Sequence, residues 1–274
     1  MYSRIQTPAQ IRQSGRKRRQ LIYARDLVAE LVGRELKVLY KRSALGVAWT
    51  LINPLLQLIV FSLVFRQVLG QGQDIPYYSA YAFSGLLIWG WTQSSLFQAT
   101  GLITSNRALI RQPGFPVAIL PIVTVTTGLV HFLLALPALA IIMWQQGVPA
   151  HVTLLALPAL LLLQFILTVS LAYPLAALNV KFRDTQHTLG VILQLMFYLL
   201  PIFYGMESIK NPLLRQLYEW NPMVALIEAY RGVLLQGVVP NWQQLLLLVG
   251  TGIVLLPIGY RIFKHERARF VEET

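Results

Sequence analysis

Apolar residues in this chain come in long charge-free windows separated by short polar segments. The first window runs Leu45–Phe65, interrupted early only by Asn53, Pro54 and Gln57. The second has its core near Tyr78–Ile103. From Gln112 to Val180 there is no Asp, Glu, Lys or Arg at all. Crossing about 30 Å of hydrocarbon takes about 20 helical residues, so that stretch is too long for one helix. It divides at the polar turn Gln145–His151, giving Phe115–Trp144 and Val152–Val180. A fifth window is Thr185–Met206, and a sixth has its core near Leu245–Tyr260. The pattern predicts an all-α polytopic membrane protein with six transmembrane helices.

Two amphipathic stretches lie outside those windows. In Tyr23–Arg42, Val28, Val32, Leu36 and Leu39 recur at helical spacing, widened by Leu27 and Leu31. Asp26, Glu30, Arg34, Lys37 and Lys41 line the other face. The acids stand at its start and the bases at its end, as the helix dipole favours. Such a helix lies on a membrane surface. It is either a passive anchor or a handler of an anionic lipid headgroup, and the spacing leaves both open. The second stretch lies in Glu207–Asn241, where Met223, Leu226, Ile227, Tyr230, Val233 and Leu234 form a stripe after Asn221 as cap and Pro222 in the first turn. A water-exposed loop needs no such stripe, so outer re-entrant helices are expected here.

Composition sharpens this picture. Of 274 residues 55% are hydrophobic and only 12% charged, against about 25% in soluble domains. Met1–Gln20 has no apolar core of a cleavable signal. With the N-terminus inside, 19 of the 23 Lys and Arg fall on the inner side, and seven of the 11 acids fall there too. The whole net charge of +12 then faces the cytoplasm, the arrangement that orients membrane proteins. Both termini are expected inside, and the basic excess is met by lipid rather than nucleic acid. The run Arg16–Arg19 is read the same way, as part of an N-terminal extension, 1–22. Residues 23–42 form the surface helix, 43–262 the membrane domain, and 263–274 a cytoplasmic tail.

Several chemistries are missing from the residues. There is no cysteine and no phosphate-binding G-x-x-x-x-G-K-[ST] loop. His131, His151, His187 and His265 are scattered, with no metal-ligand spacing. His131, inside the third helix, reads as a hydrogen-bonded packing residue. No charge lies in a predicted helix core, where an ion-driven transporter keeps its relay. Asp184 and His187 are the one acid–base pair a membrane-embedded glycosyl or acyl transferase could use. The second helix carries Tyr77, Tyr81, Gly85 and Trp89 on one line, with Phe83, Trp91 and Phe97 nearby. The fifth carries Phe197, Tyr198, Phe203 and Tyr204. These aromatics suit interfacial belts and core packing, and also a path for sugar rings.

Three segments carry a resemblance. "YKRSALGVAWTLINPLL" (from Tyr40), "FRDTQHTLGVILQLMFYLLPIFY" (from Phe182) and "NPMVALIEAYRGVLLQG" (from Asn221) occur in this order. Together they resemble the polysaccharide-export permeases of the ABC transporter class, the membrane subunits of O-antigen, capsule and teichoic-acid exporters. The resemblance covers nearly all of the chain after Ala24. It implies a homodimer above two copies of a cytoplasmic ATP-binding subunit, which holds ATP and magnesium, so this chain binds no cofactor and is not itself an enzyme. The implied substrate is a glycan on a polyprenyl pyrophosphate. The surface helix becomes a gate helix, with Lys37, Tyr40, Lys41 and Arg42 placed for the lipid pyrophosphate. Residues 105–116 become the coupling segment to the ATPase, with Asn106, Arg107, Leu109 and Arg111. Residues 207–241 become an outer gate. Tyr81, Trp89, Tyr198 and Tyr204 become candidates for lining the glycan channel. The competing expectations are an ABC-class lipid or drug exporter, a transferase, and a structural anchor.

Overall fold

The computed structural model describes residues 8–70 and 72–266. Among them it is helical, with no strand. Helix α1 spans Pro8–Tyr40. It therefore begins well before Tyr23 and takes in much of the segment expected to be an extension; residues 1–7 and 267–274 lie outside the described residues. After a turn, a 3₁₀ turn at Gly46–Ala48 leads into α2, Trp49–Ser62, which a π turn extends to Val68. Then come α3 (Tyr78–Thr100), α4 (Leu102–Ser105), α5 (Arg107–Ile110), α6 (Leu120–Gln145), α7 (Leu157–Lys181) and α8 (Thr185–Leu199). Two short helices, α9 (Pro212–Glu219) and α10 (Pro222–Arg231), precede α11 (Trp242–His265).

Among the described residues, three helical runs are long and apolar enough to cross a membrane: Gly46–Val68, Val117–Gln145 and Val152–Lys181. The core is built around α3, which packs on α6 and α7, while α11 covers α7. Polar side chains stitch these helices without exposing a charge. The buried Gln164 amide donates to Ile88 O at 2.8 Å and to Thr92 at 3.0 Å, joining α7 to α3. Trp91 Nε1 donates to Val125 O, joining α3 to α6. At Gly259 the α11 backbone comes so close that a Cβ would stand 2.7 Å from Pro174 and 2.9 Å from Ser170 O.

Helix α2 is different. Only 6% of its most apolar window is buried against the rest of the chain, and Leu58 is its one buried residue. Helix α8 likewise leaves Val191, Ile192, Leu195 and Leu199 exposed. It is also shorter than Thr185–Met206. Leu200 is extended, with ψ 143°, because the ring of Pro201 disfavours helical geometry in the residue before it. The chain then runs irregularly to Gly205.

Three helices on one side start with asparagine. Asn211 accepts from Leu213 N and Leu214 N, Asn221 from Met223 N and Asn241 from Gln243 N. Each cap satisfies donors that the first turn leaves unpaired. Pro212 and Pro222 sit at the first helical positions, where the missing N–H costs nothing. Helix α9 keeps Leu213, Leu217 and Trp220 exposed, as a helix resting in lipid would.

Candidate functional sites

The C-terminal half of α1 borders two adjoining clefts. The larger, of about 960 Å³, is lined by Arg34, Lys37 and Lys41 from α1 and by Leu109, Gln112 and Phe115 from the segment after α4. Arg34, Lys37 and Lys41 follow one another at helical spacing, so their charges share one wall. Glu30 is the one acid in that lining. Next to it lies a smaller cleft of about 280 Å³, which contains Glu35, is lined by Asn106, Leu109 and Thr127, and shares Leu31, Arg34 and Val38 with the first. Leu109 borders both clefts from the segment that faces α1.

Glu35 turns away from the basic wall. Its carboxylate accepts a hydrogen bond from the Thr127 hydroxyl of α6 at 2.7 Å. Burial raises its pKa above the ordinary glutamate value; the Thr127 hydrogen bond and the Arg34 charge pull against that rise. This tie fastens α1 to α6 in mid-helix.

A second tie is made by Tyr40, the last residue of α1. Its hydroxyl lies 2.6 Å from Thr50 Oγ1 of α2 and 3.1 Å from His131 Nε2 of α6. The Tyr40 and His131 rings meet edge to face, 6.0 Å apart. His131 is thus a packing histidine with a named partner. Arg42 stands apart: it occupies the left-handed region, φ 64°, in the turn leaving α1, and it lines neither cleft. Of the four basic-end residues, the structure brings Lys37 and Lys41 together, adds Arg34, and separates Tyr40 and Arg42.

The coupling candidates form one helical turn. Asn106 precedes α5, but its side chain does not cap it; the amide turns back to Leu102 O at 3.0 Å. Ile110 is buried and anchors the turn, leaving Arg107 and Arg111 exposed and Leu109 directed at the clefts. Pro113 and Gly114, the latter at φ 82°, close the segment.

The channel aromatics divide. Tyr198 is exposed on α8. The Tyr204 hydroxyl donates to Leu199 O at 2.6 Å and meets the Tyr218 hydroxyl at 3.2 Å. Tyr81 and Trp89 are 8% and 2% exposed, inside the core of one chain. A path along their faces would require opening that core.

Tyr81 is buried by a charge. Arg231, at the end of α10, is 0% exposed. Its guanidinium donates to Pro201 O at 2.7 Å, Ile202 O at 3.0 Å and Tyr81 O at 3.3 Å, and pairs with Glu228 at 2.9 Å. Two of these carbonyls, Pro201 O and Ile202 O, lie in the irregular segment after α8, and the third belongs to α3. A Cβ on Gly85 would come 2.9 Å from the guanidinium, so glycine makes room for it. Sequence alone placed Arg231 among outer loop charges, and no local signal marks its partners. Asp184 and His187 are both exposed, and no hydrogen bond joins them among the described residues.

Comparison with known proteins follows this geometry. The family described as ABC-2 type transporter matches residues 27–235, a range that holds Arg34, Glu35, Lys37, Lys41 and the Arg231 site. The chain is 36% identical over 257 residues to the O-antigen export system permease protein RfbA of Myxococcus xanthus, covering 93% of this chain and 97% of the relative. It is 29% identical over 251 residues to the protein of the same description from Klebsiella pneumoniae, covering 91% and 95%. With the polysialic acid transport protein KpsM of Escherichia coli it shares 21% over 239 residues, covering 86% and 92%.

Proposed function

The chain belongs to the ABC-2 type transporter family, and from that premise we propose that it is the permease subunit of an ATP-driven exporter of a lipid-linked polysaccharide. The glycan is of the O-antigen, capsule or teichoic-acid kind. Relatives covering almost the whole chain carry O-antigen export and polysialic acid transport in their names. Six spans cross the bacterial inner membrane with both termini in the cytoplasm. Two copies of the chain join through surfaces that one copy leaves bare, chiefly α2 and α8, and two ATP-binding subunits, which hold ATP and magnesium, dock below.

The observation that carries the mechanism is the shared wall of the basic cleft. A polyprenyl pyrophosphate needs cations at headgroup depth, and Arg34, Lys37 and Lys41 present three on one wall. The opposite wall is the coupling segment itself, through Leu109, Gln112 and Phe115. A pyrophosphate seated there lies against the element that receives ATPase motion. Helix α1 moves with that element and carries α2 and α6 through the Tyr40 and Glu35 ties. The outer helices α9 and α10, pinned by Arg231, close the far side.

The test is deletion of the gene in its own bacterium. Lipid-linked glycan should accumulate inside the cell and vanish from the surface, and the wild-type chain should restore it only together with an active ATP-binding subunit. Restoration with a subunit that cannot hydrolyse ATP would defeat the proposal.

A further inference from the structure

On the far side of Tyr40 from the basic cleft, a cavity of about 500 Å³ opens between α2, α3 and α6. No Lys, Arg, Asp or Glu lines it. Trp49, Asn53 and Gln57 follow at four-residue steps along α2 and share one face of that helix. Ser94 and Gln98 of α3 form the facing wall. The Tyr40 hydroxyl, held by Thr50 and His131, forms part of the lining.

The polar groups here are largely unspent. Ser94 donates to Trp91 O, but the amides of Asn53, Gln57 and Gln98 form no hydrogen bond with any described residue. Each carboxamide has two donors and an acceptor to satisfy. In hydrocarbon an unpaired polar group costs several kcal/mol, so an apolar helix that keeps Asn53 and Gln57 on one face needs a polar neighbour there. A Cβ on Gly90 would meet nothing within 4 Å. Past it a recess of about 360 Å³ adds Gln93 and Gln194 and shares Gly90 and Ser94 with the cavity. The amide lining therefore continues from α2 across α3 to α8.

We propose that this cavity is a binding subsite for uncharged sugar rings, separate from the basic cleft that takes the phosphates. Neutral amides match hydroxyls in both donor and acceptor sense, and the absence of cations and anions selects against phosphate and ammonium headgroups. Trp49, 42% exposed, offers the aromatic face on which a pyranose stacks. Helix α1 thus sorts one substrate into two chemistries, with charge on one side and hydroxyls on the other. The proposal rests on the exporter reading above.

The chain has no cysteine, so single thiols can be placed cleanly. The assembled exporter carrying Asn53→Cys, Gln57→Cys or Gln98→Cys would be treated, in inverted membrane vesicles, with a neutral glucosyl methanethiosulfonate. Vesicles would come from cells that make the glycan and from cells lacking its first glycosyltransferase. Ile253→Cys, on the exposed face of α11 and away from the surfaces assigned to the second copy, serves as the unlabelled control. All three cavity thiols are expected to react in glycan-free vesicles and to react severalfold more slowly when glycan is present. Equal rates in both vesicles would mean a water-filled space, and no reaction in either would mean closure by lipid or by a second copy. Either result overturns the subsite. Surface glycan is scored in the same strains: export intact with no protection defeats the subsite alone, whereas export unaffected by deleting the permease defeats the exporter reading.

Discussion

The Arg231 guanidinium carbon lies 3.4 Å from the centre of the Tyr81 ring. A residue of α10 is thereby driven into the face of α3, and the last turn of α10 is held against the carbonyls beyond α8. The charge tolerates burial because almost all of its donors are used: those two carbonyls, one helix carbonyl, one carboxylate and a π face. Only Nε lacks a partner.

Arg231→Met should therefore destabilise strongly. It leaves the Pro201 and Ile202 carbonyls buried without donors, at about 1–3 kcal/mol for each. Tyr81→Leu removes the ring but leaves the donors, a loss of about 2 kcal/mol from the desolvated cation–π contact. Thermal unfolding in nanodiscs should rank Arg231→Met well below Tyr81→Leu, and Gly85→Ala, which displaces the guanidinium, should also fall below wild type.

The tie between Glu35 and Thr127 should respond to pH. Burial raises the Glu35 pKa, so docked α1 binds its proton more tightly than undocked α1 does. Docking is then strongest below the ordinary glutamate pKa and weakens as pH rises through the raised value. Spin labels on α1 and α6 should report a longer or broader distance at neutral than at acid pH. Glu35→Gln, which keeps the hydrogen-bonding shape without the charge, should remove that dependence.

Lys37 and Lys41 share a cleft that Arg42 does not line. Lys37→Glu with Lys41→Glu should abolish glycan export while leaving folding and copurification of the ATP-binding subunit unchanged. Arg42→Gly should export normally and be slightly more stable, because a side chain in the left-handed region costs about 1 kcal/mol and Arg42 adopts φ 64°. Equal export defects at the three positions would show the cleft is not the headgroup site.

Tyr40→Phe keeps the ring on His131 and loses the hydroxyl shared with Thr50. The direct loss is about 1 kcal/mol per hydrogen bond, too little to unfold the chain. Export per ATP hydrolysed should fall, because α1 no longer carries α2 with it. Unchanged export stoichiometry would place the α1–α2 connection elsewhere.

Leu109 borders both clefts along α1. Leu109→Ala should preserve ATPase copurification, since Arg107 and Arg111 are retained, yet uncouple ATP hydrolysis from export. Replacing Arg107–Arg111 with Gly and Ser should lose copurification itself, measured by pull-down from solubilised membranes.

Local signals were read well because their physics is local. Asn221 before Pro222 announces a cap and a first turn within three residues, and the structure has that cap. The same pair at Asn211–Pro212 carries the same signal. Helix α8 ends several residues before Met206 although Thr185–Met206 is apolar throughout, because Pro201 places on Leu200 a restriction that hydropathy does not weigh. Asn106 likewise has the right residue for a cap, but its amide found Leu102 O instead.

The sequence by itself determined that the chain is helical and membrane-embedded, where its charge lies, and which segments are amphipathic. Those properties follow from hydropathy and from spacings of three or four residues. Only the tertiary structure decided that Tyr81 and Trp89 are buried within one chain, that Arg231 is buried, and that Glu35 and Tyr40 fasten α1. The partners in those contacts stand 150 residues apart for Arg231 and Tyr81, 92 for Glu35 and Thr127, and 91 for Tyr40 and His131. A hydrogen bond of under 3.5 Å leaves no periodicity in a chain over such separations. It exists only once α3, α6 and α10 have packed and left a polar atom with one place to go.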